Sequence, residues 1–172
     1  QLLKKMYVSD SKIIQIFEKI KPILGRNNLI QKKGFAKFII DYAHTEKSFE
    51  KLLTDIHKSY SEDTNRFIVI FGCGGDRDKA KRIKMGRIAS QFSDEIILTD
   101  DNPRNEKSLN IINAILEGIP NSIKVHKILN RKNAINKAIQ DLKTGDLLLV
   151  AGKGHEKIQD YGNKKSFHLH LD

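Results

Sequence analysis

The chain has 172 residues and a formal net charge of +10 at neutral pH, from 31 Lys and Arg against 21 Asp and Glu, a length that suits one domain with a short extra segment. No run approaches the ~18 apolar residues of a membrane span, residues 1–12 lack the shape of a signal peptide, and a single Cys73 excludes an internal disulfide and suits a reducing, cytoplasmic setting. The positive charge would suit nucleic acid, but the lysines are spread over every predicted helix, as at Lys4 and Lys5 or Lys164 and Lys165, which is the pattern of solvated faces; nucleic acid is set aside as a partner, and so is a membrane.

In chain order, Ser9 to Ile23 places Ile13, Ile14, Phe17 and Ile20 at helical spacing, with Ser9, Asp10 and Ser11 as candidate caps. Pro22, Gly25 and Arg26-Asn27-Asn28 interrupt it. Gln1 is not an intact translation start, so residues 1–33 read as the tail of a preceding domain plus a linker, and 34–172 as the domain proper. From there strand and helix patterns alternate. Strands are expected over Phe38–Asp41, Phe67–Phe71, Glu95–Thr99, Ile123–Leu129 and Asp146–Ala151, with a last one over Lys165–Leu171. The stripes Phe49/Leu52/Leu53/Ile56, Met85/Ile88/Ala89/Phe92, Ile111/Ile112/Ile115/Leu116 and Ala134/Ile135/Ala138/Ile139/Leu142 mark core-facing helices between them. This alternation predicts an α/β fold, a Rossmann-like, doubly wound and mainly parallel sheet.

Four of the strands run into polar clusters, and in such sheets ligands bind beyond the strands' carboxyl ends. Gly72-Cys73-Gly74-Gly75-Asp76-Arg77-Asp78 lets the backbone approach a ligand and ends at a helix N-terminus that favours anions; its plain alternative is a capped glycine turn. It is not the G-x-G-x-x-G dinucleotide fingerprint. Asp100-Asp101-Asn102-Pro103-Arg104 suits a zwitterion, with an arginine fork for carboxylate and acids for ammonium, or else an Asx turn before a helix near Glu106. Gly152-Lys153-Gly154-His155-Glu156 is not a phosphate loop, since Leu147 and Gly154 stand where that motif needs Gly and Ser or Thr. Asp41-Tyr42-Ala43-His44-Thr45 puts Asp41 at a strand end, suited to a ribose hydroxyl or a metal-bound water, while His44 alone is more often structural. His168 and His170 are too few for a metal site, and Cys73 has no neighbouring base to make it a nucleophile.

Taken together and in this order, DYAHT, GCGGDRDKAKR, DNPR and AGKGHE resemble the C-terminal domain of the Mur ligases, in particular of the members that add diaminopimelate. The likeness runs from about Gly25 to Gly162. It implies one domain of a three-domain, ATP- and Mg2+-dependent amide ligase of peptidoglycan precursor synthesis. The phosphate loop and the binding of UDP-N-acetylmuramoyl-L-alanyl-D-glutamate would lie in other domains, and no catalytic or metal-ligating residue in this one. It further implies that Arg77, Asp101, Asn102, Arg104, Gly152 and Glu156 contact meso-2,6-diaminopimelate, with Arg104 reading the distal carboxylate, and that Arg26, Asp41 and His44 face ATP. The chain departs from the family pattern at Asn27-Asn28, where Met-Glu is usual, at Glu46, where proline is usual, and at its carboxyl end. The last departure keeps open a second expectation, a truncated, non-catalytic binding remnant of such a ligase.

Overall fold

A computed structural model describes residues 9, 11, 12, 15, 23–31, 34–162 and 164–167. The helix expected over Ser9 to Ile23 falls mostly outside them, as do His168 and His170. The described residues contain eight strands: β1 Asn28–Gln31, β2 Lys37–Asp41, β3 Arg66–Phe71, β4 Glu95–Leu98, β5 Lys124–Lys127, β6 Asp146–Ala151, β7 Ile158–Tyr161 and β8 Lys164–Phe167. The helices are α1 Glu46–Tyr60, α2 Ala80–Phe92, α3 Ser108–Leu116 and α4 Arg131–Asp141.

Six strands form one sheet in the order β1-β2-β6-β3-β4-β5. From β2 to β5 every pairing is parallel, as expected where helices make the crossovers. The strand runs are apolar on both sides because both faces are covered. Phe67, Val69, Phe71, Ile96, Leu98, Leu147 and Leu149 pack with the apolar stripes of α1, α2 and α3. Ile68, Ile70, Ile97, Leu148 and Val150 meet Ala134, Ile135 and Ala138 of α4. The fold is therefore the doubly wound, mainly parallel α/β sheet that the periodicity predicts.

Two elements depart from the sequence reading. β1 lies inside the segment read as linker and pairs antiparallel with β2 from Asn28↔Ile40 to Gln31↔Lys37; an exposed edge strand, with Leu29 and Ile30 largely open, lacks the long apolar run that identifies its neighbours. β7, unread in the sequence, forms an antiparallel hairpin with β8 about Gly162 (φ 71°). This hairpin is separate from the main sheet, and β7 lies against the loop after β4, as its hydrogen bonds below show.

Candidate functional site

Parallel strands aim their carboxyl ends the same way, so the loops after β2, β3, β4 and β6 meet. They enclose a cleft of about 560 Å3. Arg77, Asp101, Asn102, Arg104, Gly152 and Glu156, drawn from three separate loops, all line it, together with His44 and Tyr42. Arg26 and Asp41 line a neighbouring, shallower depression with Lys47 and Lys51.

The glycine loop after β3 and the DNPR loop after β4 are built against each other. Gly75 donates its N–H to the Asn102 carbonyl at 2.9 Å, and a Cβ on Gly75 would sit 1.9 Å from the Pro103 carbonyl oxygen, so only glycine permits this approach. Arg82, 2 % exposed, locks the pair of loops. Its Nη atoms donate to both carboxylate oxygens of Glu106 at 3.0 and 2.8 Å and to the Gly74 carbonyl at 3.2 Å. Glu106 in turn accepts the Asp76 N–H at 2.7 Å. The Arg82 hydrogen bonds, with that of the Asp76 backbone, hold the Glu106 carboxyl down at about 2.

Arg104 adopts a left-handed backbone, φ 52°, at a cost of order 1 kcal/mol in a residue with a Cβ. The turn is pinned by its N–H, which donates to the Asp160 carbonyl of β7 at 2.9 Å. Its Nη1 donates to the Gly75 carbonyl at 2.8 Å and its Nε lies 3.6 Å from Asp160 Oδ2. Nη1 also donates to the Asn102 carbonyl at 3.3 Å, and Arg104 lines the cleft, where an arginine fork can meet a carboxylate. β7 adds two further clamps: Gln159 Nε2 donates to the carbonyls of Asp100 and Asp101 at 3.0 and 2.9 Å, and the Tyr161 hydroxyl donates to Asp100 Oδ2 at 3.1 Å. Burial, then the Asp100 charge, pushes the Tyr161 hydroxyl up to about 12, and burial raises Asp100 as well.

Lys153 is buried behind the lining residues, 2 % exposed. Its ammonium donates to Asn102 Oδ1 at 2.6 Å, Glu156 Oε2 at 2.8 Å and the Ile158 carbonyl at 2.8 Å, and it lies 3.4 Å from Asp101 Oδ1. The Tyr42 hydroxyl donates to the other Glu156 oxygen at 2.9 Å. Burial opposes the Glu156 charge, yet the hydrogen bonds from Lys153 and Tyr42 outweigh it and hold the carboxyl below its ordinary range. The same bond to Glu156, with burial, raises Tyr42.

Asp41, read as a ligand residue, spends an oxygen on each of two backbone N–H groups: Oδ2 accepts from Asn27 at 2.7 Å and Oδ1 from Ala43 at 2.6 Å. It thereby fixes the Gly25-Arg26-Asn27 turn over the site. Gly25, at φ 72°, passes so close to Gly154 and His155 that a Cβ would lie 2.2 Å from the His155 nitrogen. Arg26 stands 4.6 Å from the Tyr42 ring centre with an exposed side chain free to meet an anion. His44 Nδ1 bonds the Tyr42 carbonyl at 3.0 Å, leaving Nε2 for another partner. Cys73 is buried against Met85 and pushed up to about 12 by burial, which leaves its thiol protonated and unreactive. Among the described residues no group of three or more His, Cys, Asp or Glu is placed to hold a metal ion, and no helix is long and apolar enough to cross a membrane.

Sequence reasoning singled out residues that line the cleft and missed those that hold them: Lys153, Tyr42, Arg82, Glu106 and the whole of β7. Lys153 sits inside a motif already noted, but it was weighed only as a phosphate-loop lysine. The spacing of Lys153 and Glu156, three residues apart in a turn, was the available signal.

Residues 25–154 match the family described as Mur ligase, glutamate ligase domain. The chain is 44% identical over 155 residues to the UDP-N-acetylmuramoyl-L-alanyl-D-glutamate–2,6-diaminopimelate ligase of Rickettsia felis, covering 90% of this chain and 28% of the relative. A solved structure of a ligase of that name superposes with a TM-score of 0.76 at 29% identity, over 96% of this chain and 34% of the other. The folylpolyglutamate synthase of Thermotoga maritima shares the fold at a TM-score of 0.60 and 20% identity, over 84% of this chain and 31% of that one. The chain thus spans about a third of the length of the proteins it resembles.

Proposed function

The chain belongs to the Mur ligase family through its glutamate ligase domain, and from that premise we propose that it is the amino-acid-binding domain of an ATP-dependent ligase. In this reading the ligase joins meso-2,6-diaminopimelate to UDP-N-acetylmuramoyl-L-alanyl-D-glutamate in the cytoplasm. Residues 1–33 are the end of a central ATPase domain and its linker, with β1 as the linker's contribution to the sheet, and 34–172 the domain that presents the amino acid.

The observation that carries the reading is the cleft itself. Diaminopimelate bears two carboxylates and two ammonium groups, and the cleft sets Arg77 and Arg104 beside Asp101 and Glu156. An arginine fork matches a planar carboxylate with two parallel hydrogen bonds, and a partly buried carboxylate accepts an ammonium. Arg104, held by the Gly75 carbonyl, would read the carboxylate that lysine lacks, a discrimination made strong because an unmatched ligand leaves donors of the site without their partner.

ATP, with Mg2+, supplies a phosphate leaving group on the nucleotide-peptide carboxylate when bound. Arg26 suits a phosphate, being exposed above the Tyr42 ring, and His44 keeps Nε2 beyond the Nδ1 that bonds the Tyr42 carbonyl. Asp41 fits as the residue that positions Arg26 through the Asn27 N–H. The cleft's own work is to hold the incoming amine in one orientation and within reach of the activated carboxylate, which converts a bimolecular encounter into a positioned one.

The test is a calorimetric titration of the chain with meso-diaminopimelate and with L-lysine, for the wild type and Arg104→Ala. Binding of diaminopimelate alone, weakened at least about 100-fold in the variant as expected for a lost charge-assisted pair, supports the assignment. Equal affinity for both amino acids in folded protein overturns it.

A further inference from the structure

Three N–H bonds of the Lys153 ammonium meet three acceptors, on Asn102, Glu156 and Ile158. An ammonium has three donors, so none is left for a ligand, and a side chain 2 % exposed cannot turn to find one. Lys153 therefore acts on the cleft's other residues and not on what enters it. The Asn102 amide shows the effect. Its oxygen accepts from Lys153 at 2.6 Å and from the Asp160 N–H at 2.8 Å, which fixes the amide's orientation and leaves its NH2 group to support the Glu156 carboxylate. Glu156 is gripped on each oxygen by a different donor, Lys153 on one and Tyr42 on the other.

We propose that Lys153 and Tyr42 are positioning residues for amino-acid recognition: Lys153 ties Glu156, Asp101 and Asn102 into one rigid constellation, and Tyr42 fixes the rotation of the Glu156 carboxylate within it. The proposal rests on the amino-acid-binding reading of the cleft and adds to it the group that sets the spacing of the ammonium acceptors. Lys153 comes from the loop after β6, Tyr42 from the loop after β2 and Asn102 from the loop after β4, so three strands of the sheet meet at one carboxylate. Other charges face it too. Arg131, buried at the start of α4 with one Nη on the Ala151 carbonyl at 2.8 Å, lies close enough to interact with Asp101 and Glu156. Asp101 shares Lys153 with it, while Arg26 and His155 flank the Tyr42 ring.

A buried cation that only supported the chain's packing would weaken binding alike at every pH, whereas one that holds Glu156 charged for recognition weakens it chiefly where Glu156 protonates. Burial is the leading influence on Glu156 and opposes its charge; without Lys153 that influence prevails and the carboxyl protonates at higher pH. The decisive experiment is carbon-detected NMR titration of the Glu156 carboxyl in the full chain for wild type, Lys153→Met and Tyr42→Phe. Calorimetric binding of meso-diaminopimelate at about pH 5 and about pH 8 is run on the same samples. The expected result is an upward move of the Glu156 titration, larger in Lys153→Met than in Tyr42→Phe. Affinity should fall about tenfold or more at the acid pH and less at the alkaline one. Tyr42→Phe removes one hydroxyl and keeps the ring, so it decides the question should Lys153→Met fail to fold. A Glu156 titration that neither folded variant moves overturns the proposal. Wild-type protein that binds no diaminopimelate, while Glu156 titrates as expected, overturns the amino-acid-binding reading and leaves the positioning of Glu156 standing.

Discussion

Arg82 looks, in the sequence, like one more base in a lysine-rich helix, yet it is among the most buried side chains of the chain. Its partner Glu106 is the acid after the DNPR turn, and the two join the glycine loop to that turn at 2.8 Å. Removing one member of such a pair strands the other, so the order of effects is predictable. Glu106→Ala leaves a buried guanidinium without its carboxylate and should cost about 3–5 kcal/mol. Arg82→Met leaves a carboxylate that can still turn toward Lys79, 3.9 Å away, and water, and should cost about 1–3 kcal/mol. The pH dependence has a definite sign. The folded Glu106 carboxyl lies at about 2 against an ordinary 4.5, so its contribution is complete above the ordinary value and is lost as pH falls through the folded one. Thermal melts from about pH 5 to about pH 2 should therefore fall more steeply for wild type than for Arg82→Met. Parallel slopes would show that the pair does not stabilise the fold.

At the scale of elements, α1 begins where the family pattern has a proline and this chain has Glu46. The start is secured instead by a capping box: Thr45 Oγ1 accepts the Ser48 N–H at 3.3 Å and Ser48 Oγ accepts the Thr45 N–H at 3.2 Å. Glu46 adds an acid to the first turn, favourable to the helix dipole, and pairs with Lys84 of α2 at 3.0 Å. Thr45→Ala should destabilise the chain by about 1 kcal/mol, measured by urea unfolding, and Thr45→Ser by much less; an unchanged midpoint for Thr45→Ala would mean that Glu46 and packing suffice. Elements buried on a periodic face were legible in advance, from Phe49 through Ile56 in α1 to Asp146 through Ala151 in β6, because burial writes itself into apolar spacing. β1 and β7 were not. Their order comes from pairing with β2 and from hydrogen bonds to the DNPR loop, contacts between segments distant in sequence that leave no local period. The same division runs through the site: Arg104 and Glu156 were legible as polar residues just past strand ends, whereas Lys153 gains its meaning only from partners on Asn102 and Ile158.

For the whole molecule, the sheet order places β6 and β3 at the centre, with β1 and β5 at the edges. Every residue of β6 is buried, as are five of the six in β3, whereas β1 and β5 are exposed or half-buried throughout. The edge at β5 is nonetheless tied down, since the buried Glu95 of β4 binds Lys124 and His126 at 3.1 and 2.9 Å and Arg66 of β3 at 3.0 Å. This network lies at the amino ends of the strands, opposite the cleft, so the two ends of the sheet separate stability from binding. Local opening follows burial and the number of contacts to be broken. Amide hydrogen exchange should therefore be slowest in β3, β4 and β6, open earlier in β5, which Glu95 ties down, and earliest in β1, the more exposed of the two edge strands. On the proposed function, adding meso-diaminopimelate should slow exchange at Asn102 to Arg104 and Gly152 to Glu156, in the loops, and leave β5 unchanged. Protection that rises uniformly over the sheet would mean that the ligand stabilises the whole domain globally, and would remove the distinction between the two ends.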